Sequence, residues 1–279
     1  MVNGGVLISQ DLSCAGQVSL SVALPILGAS GLKPTVLPTE ILSTHTGFSH
    51  NTCYDLNDEM EKILHHWQEI DLEFDALYLG YLGNPAIDFW LKNIDQIKHK
   101  KENFLLDPAM ADHGKMYRGL DDEYIAKMRQ LLPKATVLTP NMTEAAFLLD
   151  KEVPMPTIKN AKELAQKLVE RFAVPNVIIT GINLTNEKIA EIGITEQREW
   201  SLIQKKLPGS FFGTGDMFAS SLLAAYLHGI KLERSCSIAA DFVEQAIINT
   251  PVQDKRLGPN YAAGMLDLLK EIKKKDNNE

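Results

Sequence analysis

Short apolar runs alternate with amphipathic stretches along most of this chain, and that alternation limits its fold more than any other feature. Val6 to Gln10, Thr35 to Thr39, Ala76 to Tyr81, Phe104 to Pro108, Ala135 to Pro140 and Val177 to Gly181 have the length and content of buried strands. Between them lie segments with helical spacing: Val18 to Leu27, residues 55–70 with Met60, Ile63, Leu64 and Trp67 on one face, Pro85 to Ile97, and Asp122 to Leu132. Leu164, Leu168 and Phe172 mark another. Strands separated by helices pair in parallel through crossovers. The reading is therefore an α/β fold, a mainly parallel central sheet flanked by helices. Residues 187–206 carry two weaker strand patterns, a candidate hairpin. Helices over 215–229, 232–249 and 259–273 follow. No Ser/Gly-rich or Pro-rich run divides the 279 residues, so a single domain over 1–279 is expected, frayed at 274–279.

Sheets of this kind bind ligands beyond the carboxyl ends of their strands. Those ends carry Asp11, Tyr81, Asp107, Thr139 to Glu144, and Thr180-Gly181. The sharpest motif lies further on, at Gly213-Thr214-Gly215-Asp216. A loop of small residues there enters an apolar helix in which Phe218, Leu222, Ala225 and Tyr226 recur at helical spacing. The first N–H groups of a helix lack internal partners and sit at the positive end of its dipole. Glycines let an anion approach them closely, and Asp216 would stand beside that cradle. The residues alone leave a second reading open, in which Asp216 complements the dipole and the glycines shape a turn. Neither a Walker A loop, a G-x-G-x-x-G after the first strand nor a G-x-S-x-G elbow occurs.

Asp107, Asp112 and Glu144 are carboxylates near strand ends and suit a hard cation, which takes oxygen ligands. Glu144 also follows Asn141 at capping-box spacing, so capping alone is the competing reading. His45, His50 and Cys53 have loose ligand spacing, with no second cluster to complete four zinc ligands. A count of 28 basic against 36 acidic residues, net −8, disfavours nucleic acid as a partner. Cys14, Cys53 and Cys236 are odd in number and contain no C-x-x-C pair. With no apolar run near 18 residues and no signal-peptide pattern, the expectation is a cytoplasmic protein with no membrane span.

Together these motifs resemble the ribokinase-like superfamily, and within it the pyridoxal/pyridoxamine (vitamin B6) kinase group. The resemblance runs from Val6 to about Asn249. It rests on Ser9-Gln10 with Gly16-Gln17-Val18, on Ser43-Thr44-His45-Thr46-Gly47-Phe48, on Gly80-Tyr81-Leu82-Gly83 and on Asp107-Pro108-Ala109-Met110. Thr139-Pro140-Asn141-Met142-Thr143-Glu144, Ile179-Thr180-Gly181 and Gly213-Thr214-Gly215-Asp216 complete the order. It implies ATP-dependent phosphorylation of the 5′-hydroxymethyl group of pyridoxal, pyridoxine or pyridoxamine, by a homodimer without the large lid of sugar kinases. Asp216 would match the catalytic base, and the N–H groups of Gly213, Thr214 and Gly215 the anion hole. Asp107, Asp112, Thr139 and Glu144 would serve Mg²⁺ and a monovalent cation such as K⁺. Asn141, Thr180 and Gly181 fall on the ATP side, and Asp11, Val18, His45, Thr46 and Tyr81 on the substrate side. One departure is Asp11, where many pyridoxal kinases carry Ser. An acid there resembles the hydroxymethylpyrimidine kinases, so such a kinase, or a dual-substrate enzyme, is the alternative. A non-catalytic nucleotide- or vitamin-binding regulator is the alternative of another class.

Overall fold

A computed structural model describes residues 2–251 and 254–274. Eight strands form its main sheet: β1 (Val6–Ser9), β2 (Pro34–Val36), β3 (Ala76–Leu79), β4 (Phe104–Leu106), β5 (Val137–Leu138), β6 (Asn176–Asn183), β7 (Lys188–Thr195) and β8 (Glu199–Lys205). Their order in space is β8-β7-β6-β5-β4-β3-β1-β2. β1 pairs with β3, β3 with β4, β4 with β5 and β5 with β6, all in parallel. β6, β7 and β8 are antiparallel, so the weak patterns in 187–206 do form a hairpin. Both faces of β1, β3 and β4 are buried, which is why those strands read as unbroken apolar runs. Ser9, the polar exception inside β1, is paired: Trp90 Nε1 donates to Ser9 Oγ at 3.0 Å, and Ser9 Oγ donates to the Leu37 carbonyl at 2.8 Å.

The Cα packing divides the chain into two compact units. The first, residues 1–11, 35–40 and 54–206, holds most of the sheet. It also holds the helices α2 (Asn57–Glu69), α3 (Gly83–Asn93), α4 (Asp122–Leu131), α5 (Met142–Leu148) and α6 (Ile158–Phe172), with α1 (Leu20–Ala29) outside it. Leu7, Leu77, Leu106, Leu138, Ile179 and Ile192 of the strands share one core with Met60, Trp90, Tyr124, Leu148 and Leu168 of these helices. Burying such side chains contributes about 1.5–3 kcal/mol each.

The second unit, residues 12–34, 41–53 and 207–279, packs α1 with α7 (Thr214–Leu227), α8 (Leu232–Ile248) and α9 (Tyr261–Lys273). Gly264 of α9 lets the Phe242 ring of α8 approach, since a Cβ there would lie 2.8 Å from it. The strand Leu12–Ser13 pairs in parallel with Ile41 and Leu42. Most of the 274–279 tail, residues 275–279, lies outside the described residues; α9 ends at Lys273.

Candidate active site

In the second unit, Gly213 is the N-cap of α7 at φ 81°, a left-handed conformation that L side chains rarely adopt. A Cβ on Gly213 would lie 2.0 Å from the Gln17 carbonyl oxygen and 3.1 Å from Val18 Cγ1, so only glycine fits against the 17–18 backbone. Gly215 is the opposite case: a Cβ there would meet nothing within 4 Å. The opening turn of α7 is therefore fixed on one side and open on the other. Thr214, Gly215 and Asp216 occupy its first three positions, where helix N–H groups have no intrahelical partner. This turn can receive an anion, and Asp216, half-buried, stands in it as the only acid of the first turn.

Three segments of the same unit pack on this turn. The His45 ring, 7 % exposed, lies 4.5 Å from the Phe212 ring at 33° and 5.0 Å from the Phe48 ring at 71°. The Gly47 N–H donates to His45 Nδ1 at 3.1 Å. Nδ1 is therefore the acceptor, and Nε2 carries the proton and donates to the Arg256 carbonyl at 2.7 Å. Burial holds the His45 imidazole below its ordinary pKa, which keeps it neutral. The Arg256 guanidinium lies over the Phe48 ring at 4.2 Å from its centroid and forks onto Asp254. The Leu257 carbonyl accepts from the Gln17 N–H at 2.8 Å. Thr46 is half-buried beside His45, and Val18 is buried.

In the first unit, Asn141 caps α5 by accepting from the N–H groups of Thr143 and Glu144, and Glu144 Oε2 accepts from the Asn141 N–H at 2.8 Å. The expected capping box is present. Glu144 does more, because its Oε1 accepts from the Met110 N–H at 3.1 Å. Its carboxyl is held well above the usual range, first by burial and then by the charge of Asp107, while these N–H bonds pull the other way. Asp107 is itself buried. Asp112 stands apart: its carboxylate is half exposed, accepts from the His113 N–H and faces His113 Nε2 at 3.4 Å. Among the described residues no three His, Cys, Asp or Glu side chains gather as a metal site. The structure thus brings together Asp107 and Glu144 but not all three carboxylates.

Thr139 is buried beyond β5, its hydroxyl without a hydrogen-bond partner among the described residues. Thr180 bridges to Asn141, and β6 shifts register between Ile179 and Ile182, leaving Gly181 at φ 63°. That bulge explains the glycine. Asp11 is buried after β1, and Tyr81 is half-buried after β3. Gln10 is fully buried against Gly80, where a Cβ would lie 2.6 Å from its amide nitrogen. Phe212 and the 254–258 segment were not among the expected site residues. Phe212 directly precedes the Gly213 cap without being part of its motif, and the 254–258 segment carries no motif and reaches the α7 turn only through tertiary packing.

The family model described as phosphomethylpyrimidine kinase matches residues 49–260. A pyridoxine/pyridoxal/pyridoxamine kinase of Bordetella avium is 28% identical over 86% of this chain and 83% of its own. A crystal structure from Bacteroides thetaiotaomicron, assigned as a phosphomethylpyrimidine kinase and holding pyridoxal, superposes with a TM-score of 0.87. It is 31% identical, over 97% of this chain and 95% of that one. The pyridoxal kinase of Lactobacillus plantarum gives a TM-score of 0.84 at 27% identity, over 100% and 99% of the two chains.

Proposed function

The chain belongs to the phosphomethylpyrimidine kinase family, in the pyridoxal kinase group of the ribokinase-like superfamily, and we propose that it phosphorylates the 5′-hydroxymethyl group of B6 vitamers with ATP. It is a kinase, and its fold is the one expected. The observation that carries the phosphoryl-transfer reading is the α7 start: an open glycine turn whose N–H groups lack intrahelical partners, with an acid in its third position. Phosphoryl transfer asks a protein mainly for positioning and for stabilisation of spread negative charge. The N–H groups of Gly213, Thr214 and Gly215 would receive that charge. Asp216 would orient the hydroxyl by accepting its hydrogen bond. Its reference pKa of about 3.9 is far below that of an alcohol, so the proton moves late, as the new O–P bond forms.

The two neighbouring buried carboxylates, Asp107 and Glu144, fit a divalent cation bound with only one or two carboxylates, the usual magnesium mode. When bound there, Mg²⁺ would screen the polyphosphate charge. The N–H bonds from Asn141 and Met110 fix the Glu144 oxygens, which would help to hold the ion through water. Thr139 and Asp112 would assist at the cation side, with K⁺ as the monovalent candidate. Asn141, Thr180 and Gly181 would line the nucleotide side, Asp11, Val18, His45, Thr46 and Tyr81 the vitamer side, and the active form would be a homodimer.

Asp11 supports a second reading, a hydroxymethylpyrimidine kinase, because an acid at this place resembles those kinases; ionised, it accepts from a ring edge that presents N–H or O–H, such as an aminopyrimidine or a protonated pyridine nitrogen. Coupled ADP release measured across pyridoxal, pyridoxine, pyridoxamine and hydroxymethylpyrimidine separates the two. The B6 reading requires a kcat/KM for one vitamer at least tenfold above that for the pyrimidine. The reverse order replaces it with the second reading.

A further inference from the structure

Resting on that proposed function, we infer that Phe212, and not His45, makes the direct contact with the substrate ring, stacking on it beside the anion turn. The four groups Arg256, Phe48, His45 and Phe212 form a continuous stack of ring contacts with spacings of 4.2, 5.0 and 4.5 Å, edge-to-face between Phe48 and His45 and tilted between His45 and Phe212. His45 sits inside this stack with both ring nitrogens engaged by the chain's own backbone, at Gly47 and Arg256. It has no nitrogen left to offer a ligand. Phe212 ends the stack and is 44% exposed, although its ring is covered on the His45 side. Gly47 leaves room for it there: a Cβ at Gly47 would lie 2.8 Å from Phe212 Cε1 and Cζ. Phe212 also directly precedes the Gly213 cap, four residues before Asp216. A fixed, exposed aromatic face in that place matches a planar heteroaromatic ring whose hydroxymethyl arm must reach Asp216. His45 and Arg256 then act as positioning residues that hold the Phe212 ring.

The test compares Phe212→Leu and Phe212→Trp with the unaltered protein, measuring KM for the ring substrate and for ATP. Leu keeps apolar bulk without a π face, whereas Trp restores one. The inference predicts that Phe212→Leu raises the ring-substrate KM about 10-fold and leaves the ATP KM within twofold, while Phe212→Trp stays near the unaltered value. The new indole should also be quenched when the ring substrate binds, beyond any change in the unaltered protein. An unchanged ring-substrate KM in Phe212→Leu overturns the inference. So does an equal rise in both constants, or a Trp variant as impaired as the Leu one and unquenched by ligand. If the Leu variant does not fold, the Trp variant's KM and quenching decide alone. Turnover by the unaltered protein reports separately on the proposed function. A pyrimidine ring serves equally as probe if it is the one turned over, and turnover of neither ring removes both claims.

Discussion

His45 illustrates how a residue can be visible in the sequence while its chemistry is not. Its place in Ser43-Thr44-His45-Thr46-Gly47 marked it for the vitamer side, but only the fold reveals that Gly47 and Arg256 occupy its two nitrogens. Arg256 is 211 residues away in sequence, and nothing local announces that pairing. The same environment gives a pH prediction. Arg256 and Asp254 are the charged groups that face the ring, and burial is the largest cause of its lowered pKa. Protonation would put a hydrogen on Nδ1 and break the bond from Gly47. Because the folded pKa lies below the unfolded value of about 6.5, protons bind preferentially to the unfolded chain. Stability is therefore unaffected by His45 above that value and falls as pH drops through it towards the folded pKa. Thermal unfolding at pH 7.5 and 5.5 should give a smaller Tm loss for His45→Gln than for the unaltered protein. Equal losses would mean that His45 does not titrate differently on folding.

Elements were easier to read than their ends. The run Val6 to Gln10 and the spacing of Met60, Leu64 and Trp67 gave a strand and a helix within a few residues of those observed. The short hairpin formed by Ala111–Asp112 and Lys115–Met116 was not foreseen, since two-residue strands leave no periodicity to detect. The α7 start was legible because its glycines and acid are contiguous. What the sequence did not convey is why Gly213 must be glycine, which follows from the Gln17 carbonyl on the far side of its Cα. Gly213→Ala combines a left-handed non-glycine residue, costing about 1–2 kcal/mol, with an impossible 2.0 Å contact. We expect it to lower unfolding free energy by at least about 2 kcal/mol in urea titration and to cut kcat by more than tenfold. A stable, fully active Gly213→Ala protein would show that the turn can relax and that the anion site does not depend on it.

At the scale of the whole molecule, the alternation of strands and helices foretold the parallel sheet, yet not the two-unit packing. The second unit is assembled from three separate segments, and no linker composition marks where the chain passes from one unit to the other. Net charge −8 makes the protein acidic overall, and the helix dipole places partial positive charge at the start of α7, where the proposed function needs it. Among the described residues no helix is long and apolar enough to cross a membrane. Everything proposed for this chain converges on Asp216 accepting a proton from a vitamer hydroxyl as phosphoryl transfer proceeds. The direct measurement is phosphorylated vitamer and ADP formed together, by the unaltered protein and by Asp216→Asn, with ATP affinity measured on both. We predict one phosphorylated vitamer per ADP, a kcat about 10²–10⁴-fold lower in the variant, and an ATP Kd that hardly moves. ADP release without vitamer phosphorylation, or a folded Asp216→Asn protein within tenfold of full activity, would contradict it.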